Sequence, residues 1–183
     1  WVFDVVTNWT QINTTSDGPP PPIPANASAP PSSPGARTGH ALAPLGFPGG
    51  TTGTGKALLF GGVTAAGGLA QDSWLFALAP GTANRGSWEQ VVCPAAPRTG
   101  HAMALTNTSS FEGINGEQVV MFGGLNSSAA DDPFAVALDD TWVYDVQSED
   151  WEKTARRPSA RYGHTLVTVG DEHTVVLMHG GSQ

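Results

Sequence analysis

Residues 98–101 read Arg-Thr-Gly-His, and an apolar run that ends on two glycines follows them at 119–124, Val-Val-Met-Phe-Gly-Gly. The same order occurs twice more, with R-T-G-H at 37–40 before L-L-F-G-G, and R-Y-G-H at 161–164 before a run that ends at Gly181. Successive motif arginines are 61 and 63 residues apart. Self-similarity at a nearly fixed period predicts a repeat protein in which each unit packs on its neighbours.

A segment that contains a Trp follows each of the first two Gly pairs. It reads D-S-W-L-F at 72–76 and D-T-W-V-Y-D at 140–145, and the chain opens on a third copy, W-V-F-D-V. A second Trp starts a short polar segment at Trp9, Trp88 and Trp151. Because side chains alternate along a strand, the first Trp and the aromatic two residues later share one face. Four strands per unit in constant order predict one propeller blade.

The Gly doublets, the spaced aromatics and the closing Trp resemble the kelch-repeat family, and the resemblance covers nearly the whole chain. WD40 propellers are the competing family, but the Gly doublets here are regular and no Trp-Asp pair occurs. The resemblance implies an all-β propeller fragment of four-stranded antiparallel blades, in the order half, full, full, half. Since kelch propellers close roughly six or seven blades, it also implies remaining blades in the parent chain.

The expected organisation is a partial propeller over 1–183. It divides into a half blade (1–12), a Pro-rich inter-blade loop (13–36), two blades (37–92 and 98–154) and a half blade (161–183). The chain departs from the repeat at two positions. Ala77 stands where the other Trp segments have Asp, and His179 stands where two blades have Phe. The period of about 60 also exceeds the usual kelch period of about 50.

The motif arginines Arg37, Arg98 and Arg161 are the candidate binding residues. One alternative is a framework contact to backbone carbonyls or to an acidic side chain of the adjacent blade, since framework positions repeat while functional ones vary. The other is a basic cluster near the axial mouth that binds acidic ligands, as the kelch resemblance implies. A guanidinium suits that role because it is always charged and binds carboxylates bidentately.

No catalytic or metal-binding set is expected in this chain. The motif histidines His40, His101 and His164 lack ligand spacing, so we interpret them as packing and hydrogen-bonding elements of the repeat. Two weaker metal hypotheses are His164 with His173 and His179, and a calcium site in the 125–139 loop. The four aspartates in and beside this loop are Asp131, Asp132, Asp139 and Asp140. The segment 50–56, G-T-T-G-T-G-K, matches a phosphate-binding loop only in part, because Ala57 follows the Lys.

The composition limits the partners. A net charge of −8 argues against nucleic acid, which requires clustered Lys and Arg. No apolar stretch approaches the roughly 20 residues of a transmembrane helix, so no membrane contact is expected from this segment. One cysteine, Cys93, allows no internal disulfide. The Pro-rich segment 19–34 predicts polyproline-like or flexible chain.

Five of the seven asparagines lie in N-x-S/T sequons, where chance predicts about one. They are Asn8, Asn13, Asn26, Asn107 and Asn126. We expect all five in turns or loops and therefore accessible to glycosylation. The sequons favour a secreted protein or ectodomain over a cytoplasmic one.

The leading functional hypothesis is a non-enzymatic module whose loops on one propeller face bind a protein or a glycan, with no cofactor. The alternative is part of a kelch-propeller enzyme, galactose-oxidase-like or other, whose catalytic residues lie in missing blades. A galactose-oxidase-like site needs a Tyr–Cys crosslink with further His and Tyr ligands, and two Tyr and one Cys give it no support.

Overall fold

The structure is a computed structural model. It describes residues 2–4, 8–10, 33–46, 55–79, 85–109, 115–129, 132–155, 158–170 and 174–183. All regular elements in these ranges are strands, and none of the ranges contains a helix that could cross a membrane. The strands are β1 (Val2–Asp4), β2 (Asn8–Thr10), β3 (Arg37–Thr38), β4 (Ala41–Leu45), β5 (Lys56–Phe60), β6 (Val63–Thr64), β7 (Ser73–Leu78), β8 (Gly86–Val91), β9 (Ala102–Ser109), β10 (Asn115–Phe122), β11 (Thr141–Asp145), β12 (Asp150–Thr154), β13 (Tyr162–Val169) and β14 (Val175–Ser182).

The strands form two four-stranded antiparallel sheets and two antiparallel hairpins. The first sheet has the order β4-β5-β7-β8, and the second sheet has the order β9-β10-β11-β12. The first hairpin is β1–β2, and the last hairpin is β13–β14. A short β3–β6 pair accompanies the first sheet. The all-β prediction with the order half, full, full, half is confirmed.

Residue chemistry explains the place of each strand in the first sheet. The second strand is apolar on both faces, and its Leu58, Leu59 and Phe60 are all buried. Pro44 lies in β4, where a missing N–H is tolerated because β4 is an edge strand. The outermost strand, β8, is largely exposed and polar. The sheet therefore grades from an apolar interior to a solvated outer edge.

The core lies between the two sheets. The first sheet contributes small alanines on its innermost strand, Ala41 and Ala43, while the second contributes larger side chains such as Met121 and Tyr144. Farther out, the rings of Phe60 and Trp151 face each other across the interface at 6.2 Å. Small residues on the innermost strand with large residues farther out allow the sheets to approach most closely at their inner edges.

Backbone hydrogen bonds between glycines join the three innermost strands. Gly100 N donates to Gly39 O at 2.9 Å, and Gly163 N donates to Gly100 O at 2.7 Å. Each of these glycines is the third residue of a motif copy and has a positive φ, from +63° to +68°. The repeated motif thus connects each unit to the next, as propeller packing requires.

Two sequons lie elsewhere than predicted. Asn107 is in β9, opposite Glu117 of β10, and Asn8 is in β2, opposite Asp4. The expectation that all five sequons fall in turns or loops is therefore wrong. The pairing of β9 with β10 continues to Ser109, opposite Asn115, and so includes Asn107. Asn13, Asn26 and most of the Pro-rich loop lie outside the described residues.

Candidate functional site: the Gly-doublet face

The Gly-doublet face is the end of the sheets where residues 61–72, 92–101, 123–129 and 132–140 lie. Antiparallel strand order places the link between second and third strands at the same end as the link between sheets. The motif arginines, both Gly pairs and the aspartates that precede Trp74 and Trp142 consequently meet there. This is the face on which the sequence motifs of the repeat converge.

An arginine, an aspartate and a tryptophan form a buried contact at this end of the second sheet. Arg98 Nη1 and Nη2 donate to the two carboxylate oxygens of Asp140 at 2.5 and 3.0 Å. Arg98 Nη1 also donates to Gly123 O at 3.0 Å, and its Nε donates to Ala96 O at 3.0 Å. Trp142 Nε1 donates to Asp140 Oδ2 at 2.8 Å. We call this arrangement the Arg-Asp-Trp clamp.

The first sheet repeats the clamp. Arg37 donates to both oxygens of Asp72 at 2.5 and 2.9 Å and to Gly61 O at 3.1 Å. Trp74 Nε1 donates to the same carboxylate at 2.6 Å. The contact joins the segment before the first strand, the end of the second and the start of the third. A charge-assisted bidentate pair fixes the relative position of all three.

Arg161, in the last hairpin, makes the same local contacts but has a different outer partner. Its Nη1 donates to Gly180 O at 3.1 Å and its Nε donates to Ser159 O at 3.2 Å, matching the other two copies. Its Nη2 donates to Ser159 Oγ at 2.6 Å, where the complete sheets have an aspartate. Arg161 therefore keeps the clamp geometry with no carboxylate among the described residues.

Burial and hydrogen bonding oppose each other at the clamp aspartates. Burial raises the pKa of Asp140, but the hydrogen bonds from Arg98 and Trp142 lower it by more, so the pKa lies below its ordinary value. At Asp72 burial also raises the pKa, and the hydrogen bonds from Arg37 and Trp74 lower it by more. Arg98 has no exposed surface, so binding of a ligand by Arg98 or Arg37 would first require the ion pair to open. Of the two alternatives for the arginines, the geometry of these two matches a framework contact, but each acidic partner belongs to the same sheet as its arginine and not to the adjacent blade as expected.

Two of the three motif histidines, His101 and His164, pack against the preceding unit. His101 meets the edge of Phe60 at 5.4 Å between ring centroids, and His164 meets Phe122 at 5.4 Å. Burial, followed by the charge of Arg98, lowers the pKa of His101 to about 3. Burial and Arg161 likewise lower the pKa of His164. Both rings are neutral packing groups at neutral pH, and His40, which is exposed, belongs to no described ligand set.

Neither of the two weaker metal hypotheses finds its ligands gathered in one site among the described residues. His164 is buried toward the second sheet, whereas His179 pairs opposite Thr165 on the other, exposed face of the last hairpin. Asp140 belongs to the clamp, and Asp132 bonds Ser127 Oγ at 2.6 Å. No three His, Cys, Asp or Glu side chains gather there in a way that could hold a metal ion. His173 and Asp131 lie outside the described residues.

The described parts of the 125–138 loop, 125–129 and 132–138, present exposed apolar side chains on a backbone that is held by side-chain hydrogen bonds. Phe134 is 84% exposed and Val136 is 55% exposed. Asp132 Oδ1 accepts a hydrogen bond from Phe134 N at 2.9 Å, and Asn126 Oδ1 accepts one from Val136 N at 2.6 Å. The hydrogen bonds from Ser127 and from Phe134 N lower the pKa of Asp132. These polar side chains bind the loop backbone and leave the apolar ones in solvent.

An open cavity of about 470 Å³ lies at the same end of the first sheet. Its lining residues are Gln71, Asp72, Gln90, Val91, Val92 and Cys93. Val92 is 88% exposed, whereas Cys93 is buried and its pKa is raised by burial to about 11. The cavity thus combines an apolar side chain with two primary amides that can donate and accept hydrogen bonds.

Sequence reasoning missed the clamp aspartates and the exposed loop residues. Asp72 and Asp140 were visible as an Asp two residues before a Trp, and that spacing was the available signal. Phe134 had a weaker signal, an aromatic residue in a polar loop outside every strand pattern. The pairing itself joins positions 42 residues apart, which no local pattern specifies.

No family model matches the chain, and no curated protein matches it. Among solved structures, it is similar to YjhT, with a TM-score of 0.51 and 14% identity over 78% of this chain and 34% of that chain. A second match, "Cryo-EM structure of RAG in complex with one melted RSS and one unmelted RSS", has a TM-score of 0.48 and 15% identity over 78% of this chain and 52% of that chain; a likeness this low does not inform the fold. The chain spans about a third of the length of YjhT and about half of the second chain. The likeness to YjhT supports the propeller-type fold.

The clamp makes a prediction about stability. Arg98→Ala leaves the Asp140 carboxylate buried without its partner, so the free energy of unfolding should fall by on the order of 3 kcal/mol. Arg161→Ala removes the same local contacts and no carboxylate contact, so its cost should be below about 1 kcal/mol. Urea unfolding followed by Trp fluorescence measures both. Equal losses in the two variants would contradict the clamp.

The buried histidine makes a prediction about pH. His101 stays neutral in the folded state to about pH 3, whereas in the unfolded chain it protonates near pH 6.5. The unfolded state therefore binds more protons between these values, and stability is lost as pH falls through that window. At pH 5 the loss from His101 alone should be about 2 kcal/mol.

Urea unfolding at pH 7, 6 and 5 measures that slope. His101→Gln removes the titrating group and should flatten the slope, whereas His179→Gln applies the same change at an exposed position and serves as the control. An unchanged slope in His101→Gln would show that other groups set the acid sensitivity. Below about pH 4 the clamp aspartates, whose pKa values are lowered, add a loss of the same sign.

Proposed function

We propose that the chain is part of a kelch-type propeller that recognises a protein or a glycan through the loops of the Gly-doublet face, without catalysis. The observation that carries the proposal is Phe134, 84% exposed on a loop whose polar side chains hold its backbone. Burying an aromatic side chain of this size supplies much of the energy of a typical binding contact. Holding it on a braced loop lowers the ordering cost on association.

Other exposed groups on the Gly-doublet face support a binding surface of mixed character. Val136 extends the apolar surface of Phe134 along the same loop, and Val92 adds a second apolar position at the cavity of the first sheet. Gln71 and Gln90 line that cavity, and their amides suit peptide groups or sugar hydroxyls. An apolar surface with a few placed polar groups is the usual composition of a ligand site.

Net charge selects among partners. At −8, the chain repels nucleic acid and strongly acidic proteins at long range. Arg37 and Arg98 do not counter this locally, because their charges are neutralised inside the clamps. The proposal therefore favours a neutral or basic protein surface, or a neutral glycan.

Glycosylation and a location outside the cytoplasm are part of the proposal. Asn126 is exposed and uses its Oδ1 to accept the Val136 N–H, which leaves the side-chain nitrogen for a glycan. Asn107 is half-buried in β9, a less open position. If the chain passes through the secretory pathway, Asn126 should be modified more completely than Asn107.

Peptide mass spectrometry after enzymatic deglycosylation in ¹⁸O water, on chain secreted from eukaryotic cells, measures occupancy at each sequon. Asn126→Gln is the control that must abolish its signal. Secreted chain without a glycan at any sequon would contradict this part of the proposal. A glycan at Asn126 would flank Phe134, so binding should be compared before and after its removal.

The binding proposal is tested by screening the purified chain on a glycan array and a phage-displayed peptide library, and then measuring the affinities of the hits. The double variant Phe134→Ser, Val136→Ser should weaken a hit at the loop by roughly tenfold or more, because it removes the apolar contact. Val167→Ser, at an exposed valine on β13, is the matched control. Hits that are insensitive to the loop variant, or the absence of hits, would contradict recognition by this loop.

A further inference from the structure

A lysine lies over the clamp carboxylate in the second sheet. Lys153 Nζ is 3.7 Å from Asp140 Oδ2 and 5.6 Å from the centroid of the Trp142 ring. Lys153 belongs to the outermost strand, β12, where it pairs opposite Trp142 of β11. The clamp of this sheet therefore has two cations for one carboxylate, with Arg98 on the buried side and Lys153 on the solvent side.

The first sheet has no lysine at the equivalent position. Gln90 of β8 lies opposite Trp74 of β7, which is the position that Lys153 has in the second sheet. The other lysine of the sequence, Lys56, begins β5 at the opposite end of the sheet from the clamp. Among the described residues, no ammonium lies within 4.0 Å of the Asp72 carboxylate. An ammonium at this carboxylate would therefore have to come from another molecule.

The clamp carboxylate of the first sheet is also the more exposed of the two. The side chain of Asp72 has 23% of its surface exposed, against 13% for Asp140. Asp72 and Gln90 both line the open cavity of about 470 Å³, and so does the exposed Val92. Trp74 is 2% exposed, so the carboxylate rather than the indole ring is the contact available to a cation. An ammonium on an aliphatic chain matches this combination of an acidic group and an apolar wall.

We propose that the cavity beside Asp72 is a lysine subsite, which binds the side chain of a lysine from a partner protein. The ammonium donates hydrogen bonds to the Asp72 carboxylate and to the amide oxygens of Gln71 and Gln90. The methylene groups lie against Val92, as the stem of a lysine does on apolar surface. An ammonium is the group that the second sheet has at the equivalent position, and the net charge of −8 favours the approach of a cation.

The lysine subsite narrows the choice of partner. A neutral glycan has no ammonium to offer, so the subsite selects a protein with an exposed lysine. Its use in recognition rests on the proposed function of the Gly-doublet face. The subsite itself uses no residue of the 125–138 loop, so the two proposals can be tested separately.

The probe is Nα-acetyl-lysine N-methylamide, titrated into the ¹⁵N-labelled 183-residue chain and followed by NMR. Trp74 Nε1 donates to Asp72 Oδ2 at 2.6 Å, so the indole N–H resonance of Trp74 reports a cation at that carboxylate. We expect a saturable shift with a half-maximum at roughly millimolar concentration, because a single ion pair contributes little affinity. Nα-acetyl-norleucine N-methylamide lacks the ammonium and should cause no saturable shift.

Exchanging the two equivalent residues gives a reciprocal test. Gln90→Lys supplies an internal ammonium to the first sheet and should weaken probe binding there at least roughly tenfold. Lys153→Gln removes the internal ammonium from the second sheet and should create a new saturable shift at Trp142, whose Nε1 donates to Asp140 Oδ2 at 2.8 Å. Lys56→Gln makes the same change at the other end of the first sheet and should alter neither response. All three positions are exposed, so the fold should tolerate each variant.

Four outcomes would overturn the proposal. They are no shift at Trp74 up to about 50 mM probe, an equal shift with the norleucine analogue, unchanged binding in Gln90→Lys, and no new response in Lys153→Gln. The double variant Phe134→Ser, Val136→Ser should bind the probe as the unmodified chain does. A failure of loop recognition would therefore leave the lysine subsite in force, and a failed probe titration would leave loop recognition in force.

Discussion

The buried pair of arginine and aspartate controls the geometry of each complete sheet. Arg98 and Asp140 are 42 residues apart in sequence, and their contact brings the starts of the first and third strands to the same end of the sheet. Removing two charges from water is costly, and the bonds to Gly123 O and from Trp142 Nε1 complete the compensation. A register slip of one residue in the third strand would move the carboxylate to the wrong face, so the pair also specifies register.

Close contact between the sheets depends on the same segments. The second glycine of each pair, Gly62 or Gly124, donates its N–H to the backbone carbonyl of the next motif arginine at 2.9 Å. At Gly61 a Cβ would lie 2.7 Å from Arg98 O, closer than any side chain allows. The arginine thus holds its own sheet by its side chain and the preceding sheet by its carbonyl. The motif arginine therefore stabilises both the strands within a sheet and the packing between sheets.

Because the framework contacts lie outside the loops, the loops can differ in length and sequence from one sheet to the next. Between the Gly pair and the clamp aspartate, the first sheet has a short turn with β6, whereas the second has the longer 125–138 loop that exposes Phe134. The clamps at the two ends of these loops are the same. Insertions and apolar residues are tolerated in the loops because the framework contacts lie outside them. In the last hairpin, Arg161 keeps its local bonds and has no carboxylate beside it among the described residues.

The repeat, the strand positions and the antiparallel four-stranded units followed from the sequence, because alternation of side chains, Gly pairs and Trp spacing are local properties that recur in register. The recurrence of His101 in each motif copy also predicted its packing role in the framework. The partner of each arginine, the longer β9–β10 hairpin that contains Asn107, and the exposure of Phe134 were decided by tertiary structure. An ion pair between Arg98 and Asp140 depends on three strands having already aligned. Whether an apolar loop residue is buried depends on what packs over it. Local sequence specifies neither the alignment of the three strands nor this packing.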